Sequence, residues 1–366
     1  MKLKGSDIET LTVDSRELLK QLISIPSLSR EEDKTADCLE AFFRKKAINP
    51  QRLRNNIWIT NKHYSEQKPT LLLNSHHDTV KPNNGYTLNP FEPVEKDGKL
   101  FGLGSNDAGG ALVSLLAAFL YYYEEELPFN LIYAATAEEE ISGQDGIELL
   151  VKHLPAVDCA IIGEPTLMKM AIAEKGLLVL DCKAKGKAGH AARDEGVNAL
   201  YIALEDIRWA GSHSFERVSA LLGPVHLAVT SIETPNKAHN VVPDECNFIM
   251  DVRVNELYSF EEILSELQGG MKSTITPRSL RLKPSSIASD HPLVRAGSQL
   301  GLASYGSPTC SDMTLIDFPA LKIGPGDSAR SHTADEFIFV DEIEQGIRTY
   351  ISLIGNFGRE IENSKN

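Results

Sequence analysis

Three leucines in a row, Leu71-Leu72-Leu73, run straight into Asn74-Ser75-His76-His77-Asp78. A short continuous apolar run reads as a strand buried on both faces. The polar switch places two histidines and an aspartate at its carboxyl end, where open α/β sheets bind ligands. His76 and Asp78 are two residues apart, so in extended chain they point to the same side. A carboxylate placed that way can orient a metal-binding imidazole. A strand end with solvated polar residues is the plainer reading of this pair taken alone.

The pattern recurs downstream. Apolar residues 131–136 end in Ala137-Glu138-Glu139-Glu140, and residues 159–162 end in Gly163-Glu164-Pro165-Thr166. A glycine-rich loop over 98–104 leads to Asp107, and Gly109-Gly110 open an apolar helix over 111–123. His332 stands in a late loop, 324–337, before a closing helix over 341–357. Two capping boxes, Asp14-Ser15-Arg16-Glu17 and Ser29-Arg30-Glu31-Glu32, predict helix starts near residues 15 and 30. A further helix is expected over 146–153. Alternating strand and helix argue for a mostly parallel sheet.

Near Gly176 the period changes. Leu178, Leu180, Cys182 and Ala184 alternate with Asp181, Lys183 and Lys185, the mark of a sheet with one wet face. A helix over 197–210, strands over 225–232 and 246–254, a helix over 260–267 and a strand near 280–282 follow. That order, β-α-β-β-α-β, is the ferredoxin-like signature. The expected class is α/β. Residues 1–176 and 289–366 form a mostly parallel domain, and an α+β domain over 177–288 is inserted into it. A chain of 366 residues exceeds what one core usually serves.

A formal net charge of −14 argues against a nucleic-acid partner, which needs a basic stripe, and against an anionic membrane surface. No apolar run reaches membrane-spanning length, and the first residues lack a secretory h-region. Five scattered cysteines without a C-x-x-C pair suggest reduced thiols in a cytoplasm and no thiolate zinc site.

The chemistry is expected on one sheet edge, which gathers His76 and Asp78, Asp107, Glu138-Glu139-Glu140, Glu164 and, from the late loop, His332. So many acidic groups repel one another unless something positive sits among them. Two histidines and three carboxylates, one of them bridging, could hold two Zn²⁺ with positions left open for water, and Co²⁺ could substitute. His63, His77, His153, His213, His226, His239 and His291 lack such a setting and are read as surface or packing residues, and Cys310 as a buried apolar thiol.

Eight motifs in order carry a resemblance. They are Ser75-His76-His77-Asp78-Thr79-Val80, Gly104-Ser105-Asn106-Asp107-Ala108-Gly109-Gly110, Thr136-Ala137-Glu138-Glu139-Glu140, Gly163-Glu164-Pro165-Thr166, Gly189-His190-Ala191, Asn240-Val241-Val242-Pro243, Asp251-Val252-Arg253 and Ser331-His332-Thr333. Over essentially its whole length the chain resembles the acetylornithine deacetylase / succinyl-diaminopimelate desuccinylase family of dimetal amidohydrolases. It departs from that pattern at Glu138, where aspartate is usual, and at Ala108-Gly109-Gly110-Ala111, where Met-Lys-Gly-Gly is common.

The resemblance implies a metallopeptidase-type catalytic domain and an inserted dimerisation or lid domain, hence a homodimer. It implies that Asp107 bridges two metals, with His76 and Glu164 on one and Glu140 and His332 on the other. Asp78 would orient His76. Glu139 would be the general base, taking a proton from the attacking water and returning it to the leaving amine. His190 would stabilise the oxyanion, from its own chain or from a partner's. Arg253 and Asn240 would hold the substrate's α-carboxylate. The implied substrate is a small N-acyl-L-amino acid: N-acetyl-L-ornithine first, then N-acetylcitrulline and the N-succinyl analogues, in arginine biosynthesis. A dipeptidase or carboxypeptidase on the same scaffold and a non-catalytic metal-binding relative are the competing readings.

Overall fold

The computed structural model describes residues 7–193 and 195–364. The first six residues, read above for a secretory leader, lie outside the described residues, as do the last two. The chain divides into two compact units. One holds the described residues up to Ile172, then Ser286–Tyr305 and those from Ser311 onward; the other holds Ala173–Ser285 and Gly306–Cys310.

The larger unit is built on a mixed sheet with a parallel centre. Asn130–Thr136 pairs parallel with Thr70–His76, which pairs parallel with Cys159–Ile162, which in turn pairs parallel with Ala320–Lys322. Antiparallel neighbours flank this centre: Asn56–Thr60 on one side and Met170–Glu174 on the other. Every residue of Thr70–His76 and Asn130–Thr136 is buried, as parallel strands covered on both faces require. Side chains alternate between two cores. Leu71 and Leu73 join Leu115, Phe119 and Tyr350 on one face, while Leu72 joins Ile132, Ala160 and Met313 on the other.

Register then decides where the chemistry goes. His76 lies opposite Thr136, and Asn74 lies opposite Ile162. His76, the glutamates that follow Thr136, and Glu164 therefore all leave the sheet at the same end.

Several elements differ from expectation. The first helix begins at Ile8, with the Asp14–Glu17 box in its interior. Leu11, Leu18, Leu19 and Leu22 form a buried stripe at helical spacing, and burial of that stripe outweighs a local capping signal. The second helix, Asp33–Lys45, has Glu32 at its N-cap position. The Ser29 hydroxyl instead donates to Asp78, at 2.7 Å. The helix expected over 146–153 is only Ile147–Leu150. A small sheet of Val94–Lys96, Lys99–Phe101 and Phe337–Phe339 has no counterpart in the sequence reading.

The smaller unit is a four-stranded antiparallel sheet with helices Ala199–Ser212 and Phe260–Gly270. Its strands, in chain order, are Gly176–Lys185, His226–Glu233, Glu245–Val254 and Thr274–Pro277, and in space they run second, third, first, fourth. That is the ferredoxin-like arrangement. The fourth strand is Thr274–Pro277, not the expected stretch near 280–282. Ile275 pairs with Cys182 and is buried, whereas Leu280 is 42 % exposed. Cys310 belongs to this unit and is half-buried, with Sγ 3.2 Å from the Lys175 carbonyl, not enclosed in apolar packing. Among the described residues no helix is long and apolar enough to cross a membrane.

Candidate active site

His76 ends its strand with 1 % of its surface exposed. Its Nδ1 lies 3.0 Å from the Asp78 carbonyl oxygen and 3.4 Å from Asp78 Oδ1. That contact turns Nε2 toward the acidic cluster, 3.4 Å from Asp107 Oδ1, 3.7 Å from Glu164 Oε1 and 3.9 Å from Glu139 Oε2. Asp78 also accepts the Ser29 hydroxyl and the backbone N–H groups of Glu139, at 3.0 Å, and Glu140, at 3.2 Å. Burial alone would raise the Asp78 pKa, but His76 and Ser29 outweigh it and hold the group below its ordinary value.

Asp107 is delivered by a kinked turn, Ser105–Gly109, entered through Gly104 at φ +75°. Glycine carries that left-handed conformation without steric cost. Glu336, 1 % exposed, accepts the backbone N–H groups of Gly104, Asn106 and Asp107 at 3.1, 2.9 and 2.9 Å. The Asn106 side chain exchanges two 3.0 Å hydrogen bonds with the Asp327 backbone, tying this turn to the loop that carries His332.

The Asp107 carboxylate thus stands between two imidazoles. Oδ1 faces His76, while Oδ2 is 3.6 Å from His332 Nε2. His332 Nε2 is also 3.0 Å from Glu140 Oε2. Among the described residues two groupings have ligand atoms within 4.8 Å of one another: His76, Glu139 and Glu164, and His76, Asp107 and Glu140. Asp107, Glu140 and His332 meet on the other side of the Asp107 carboxylate.

Proton affinities reflect the crowding. Burial pushes Glu139 well above its ordinary value, Glu164 up to about 8 and Glu140 upward. Asp107 also feels burial, yet its bond to His76 leaves it lowered. Burial works against the charge on His76, but Asp107, Asp78 and the glutamates raise it well above its ordinary value. The bond to Glu140 raises His332 to about 9. The cluster is short of positive charge. Two imidazoles and four carboxylates converging on one point are the donor chemistry that divalent cations take.

Three supporting residues escaped the sequence reading. Ser29 was read as a helix cap. Glu336 and Asp312 follow no periodic pattern. Asp312 lies beneath the strand ends, accepting Asn74 and Thr136 at 2.8 Å each, and burial raises it to about 6. Asn106 stood inside a quoted motif without a role. His77 is a packing residue: it contacts Thr35 and the Asn55 carbonyl, and burial lowers it to about 4.

The other three expected residues lie in the smaller unit. His190 and Asn240 come together there. Gly189–His190 pairs with Val241–Val242, and the Ala191 N–H donates to the Asn240 carbonyl at 3.0 Å. His190 Nδ1 accepts the Ala192 N–H at 3.1 Å, which leaves the proton of a neutral ring on Nε2. Arg253 grips Asp251 through two bonds of 2.8 and 3.1 Å.

The sequence profile of peptidase family M20/M25/M40 matches residues 72–356. The chain belongs to that family. Its members are dimetal hydrolases, and the matched span includes every residue of the cluster. Acetylornithine deacetylase of Proteus mirabilis is 29 % identical, over 93 % of this chain and 96 % of its own length. Succinyl-diaminopimelate desuccinylase 2 of a Ruegeria species is 28 % identical over 69 % of this chain and 68 % of its own. The fold is that of aminopeptidase PepT from Bacillus cereus, with a TM-score of 0.76 at 19 % identity over 94 % of this chain and 98 % of the other. A dinuclear metal-binding M20 peptidase of Bacillus subtilis gives a TM-score of 0.72 at 13 % identity, over 95 % and 99 %.

Asp78→Asn should loosen both His76 and the Glu139–Glu140 turn. Titration with Zn²⁺ is expected to show metal affinity about 10–100-fold weaker, the usual cost of removing such a support. Unchanged affinity would show that the ring orients itself.

Proposed function

We propose that this M20-family hydrolase cleaves the amide of a small N-acyl-L-amino acid, of the N-acetyl-L-ornithine or N-acetyl- or N-succinyl-citrulline type, in arginine biosynthesis. The observation that carries the reading is the Asp107 carboxylate shared between His76 and His332, with Glu139, Glu140 and Glu164 around it. The end-to-end match with an acetylornithine deacetylase supports the substrate class. Peptidases among the structural neighbours favour a second reading, a dipeptidase, because a dipeptide offers the same scissile amide and terminal carboxylate.

In this proposal His76, Asp107, Glu140, Glu164 and His332 would hold two divalent ions, Zn²⁺ with Co²⁺ able to substitute, with Asp107 shared, His76 and Glu164 serving one ion, and Glu140 and His332 the other. When bound, the ions supply Lewis acidity toward the scissile carbonyl and the attacking water. Asp78 fixes the His76 ring so that Nε2 faces the bridge. The Glu139 carboxylate accepts no hydrogen bond among the described residues, and burial raises its proton affinity. It is suited to take a proton from water and give it to the leaving amine. His190, with its proton on Nε2, donates to the oxyanion. Asn240 and Arg253 read the α-carboxylate.

The smaller unit is assigned to dimerisation. His226–Glu233 is an edge strand of its sheet, and an unpaired edge invites a second copy. Tyr201 and Leu204 on the Ala199–Ser212 helix are 67 % and 52 % exposed, an apolar surface suited to that contact. His190 is proposed to serve the partner's site.

Elemental analysis and turnover separate base from ligand. Glu139→Gln is expected to keep two metals and lose roughly 10²–10⁴-fold in kcat, whereas Asp107→Ala should lose both metals. Metal loss in Glu139→Gln would make Glu139 a ligand.

Arg253→Ala should raise KM for N-acyl amino acids by about tenfold or more, the value of one charge-assisted contact. The matching α-amides should be far less affected. Equal losses on acids and amides would remove Arg253 from the carboxylate site. A panel of N-acyl amino acids and dipeptides, run with added Zn²⁺ or Co²⁺, distinguishes the two substrate readings.

Complementation tests the shared site. If His190 acts across a dimer, a mixed dimer of Glu139→Ala and His190→Ala carries one doubly damaged site and one intact site. Partial activity should return on co-expression. Proven heterodimers without activity would place His190 in its own chain's site.

A further inference from the structure

The two histidines of the cluster are held in different ways. His76 is buried, and Asp78 steers its ring. His332 has neither support. Its side chain is 56 % exposed, and among the described residues its Nδ1 makes no hydrogen bond. A metal-binding histidine usually gives its second ring nitrogen to a carboxylate or carbonyl that fixes the ring. The His332 backbone is also unusual, at φ +59°. A residue with a side chain takes that left-handed conformation at a cost, and keeps it where its surroundings impose it.

A stretch of the same unit, distant in sequence, supplies those surroundings. Asn83 Nδ2 donates to the His332 carbonyl at 3.1 Å. The Asp335 carboxylate, on a residue at φ +52°, accepts the N–H groups of Thr87 and Leu88 at 2.8 and 2.9 Å. Between these anchors the two loops approach closely. A Cβ on Gly85 would stand 3.2 Å from Ala334 Cβ, inside the roughly 3.5–4.0 Å that carbon atoms prefer.

Asn83 is aimed by its own turn. Its Oδ1 accepts the Gly85 N–H at 2.9 Å, the local bond that asparagine favours in turns. With Oδ1 so engaged, Nδ2 faces the His332 carbonyl. The flipped carboxamide would set its NH₂ against the Gly85 N–H and its oxygen against that carbonyl, so the hydrogen bonds themselves select the orientation.

We infer that Asn83 is a positioning residue for the metal position served by Glu140 and His332. It does through the His332 backbone what Asp78 does for His76 through the ring. The inference rests on the proposed two-ion reading of the site. One position is then fixed from within the core and the other from an exposed loop, and Asn83 sets the affinity of the second alone.

Calorimetric titration of the metal-free, full-length protein with Zn²⁺ provides the test. Wild type should bind two ions. Asn83→Ser keeps a hydroxyl that can accept the Gly85 N–H but is too short to reach the His332 carbonyl. Asn83 is exposed, so the substitution leaves the core intact. The variant should bind one ion as wild type does and the other about tenfold more weakly. Asn89 accepts the Phe91 N–H in a like turn without a bond to His332, so Asn89→Ser should change neither ion. His332→Ala should lose the same ion that Asn83→Ser weakens, read from the absorption of bound Co²⁺. Adding Asn83→Ser to His332→Ala should leave the remaining ion bound as before, because a residue that acts through another has nothing left to act on. Unchanged affinity in Asn83→Ser, equal loss at both positions, or further loss on adding Asn83→Ser to His332→Ala would overturn the inference. Fewer than two ions on wild type would overturn the two-ion reading itself, and this inference with it.

Discussion

The acidic cluster depends on one buried carboxylate that is not proposed to touch a metal. Asp78 contacts the His76 ring, the Ser29 hydroxyl and the N–H groups of Glu139 and Glu140. Those donors come from three separate stretches of chain. Neutral hydrogen bonds are worth about 0.5–1.5 kcal/mol net, and bonds to a charged group about 1.5–3. The negative charge of Asp78 therefore strengthens every bond it accepts. A neutral residue of similar shape would keep the geometry less firmly, because the backbone amides of a strained turn, entered through Glu138 at φ +56°, would lose their strongest acceptor.

The same device recurs beside Asp107. Glu336 collects three backbone N–H groups around Asp107, and burial together with Asp107 drives its pKa to about 8. Asp312 does similar work under Asn74 and Thr136. Asp78 and Glu336 thus hold acidic residues of the cluster in place through the backbone N–H groups of Glu139, Glu140 and Asp107. The arrangement tolerates its density of negative charge only while something answers it: protons, as the raised glutamates indicate, or cations. A cation binds such a site by displacing protons, so metal uptake and proton release are linked.

Much of this was legible in the sequence because two periods are unambiguous. Continuous apolar runs such as Leu71-Leu72-Leu73 identify buried strands, and the polar residues after them fall at the ligand end of a parallel sheet. The alternation of Leu178, Leu180 and Cys182 marked the change to an antiparallel sheet, whose strands face inward at every second position. What could not be read were partners distant in sequence. Ser29 looks like a helix cap because Ser-x-x-Glu is a local signal, and nothing local indicates an aspartate 49 residues away. Glu336 lies 229 residues from Asp107 and is set beside it by the loop after Ala320–Lys322. The strand misplaced near residue 280 was a contest between two short apolar stretches, decided by pairing with Cys182.

Arg253 gives the proposed carboxylate site a particular character. Two of its nitrogens are committed to Asp251, and a guanidinium has five N–H groups. An incoming carboxylate must take the donors left over, or share. Sharing brings a second negative charge beside Asp251, which lowers the net attraction that a free arginine would give. The Asp251 clamp also fixes the plane of the guanidinium before substrate arrives, so little side-chain entropy is lost on binding. On this reading the pair trades strength for direction. A tightly held product carboxylate would slow release, whereas a pre-aligned and partly neutralised arginine orients an N-acyl amino acid and then lets the free amino acid leave.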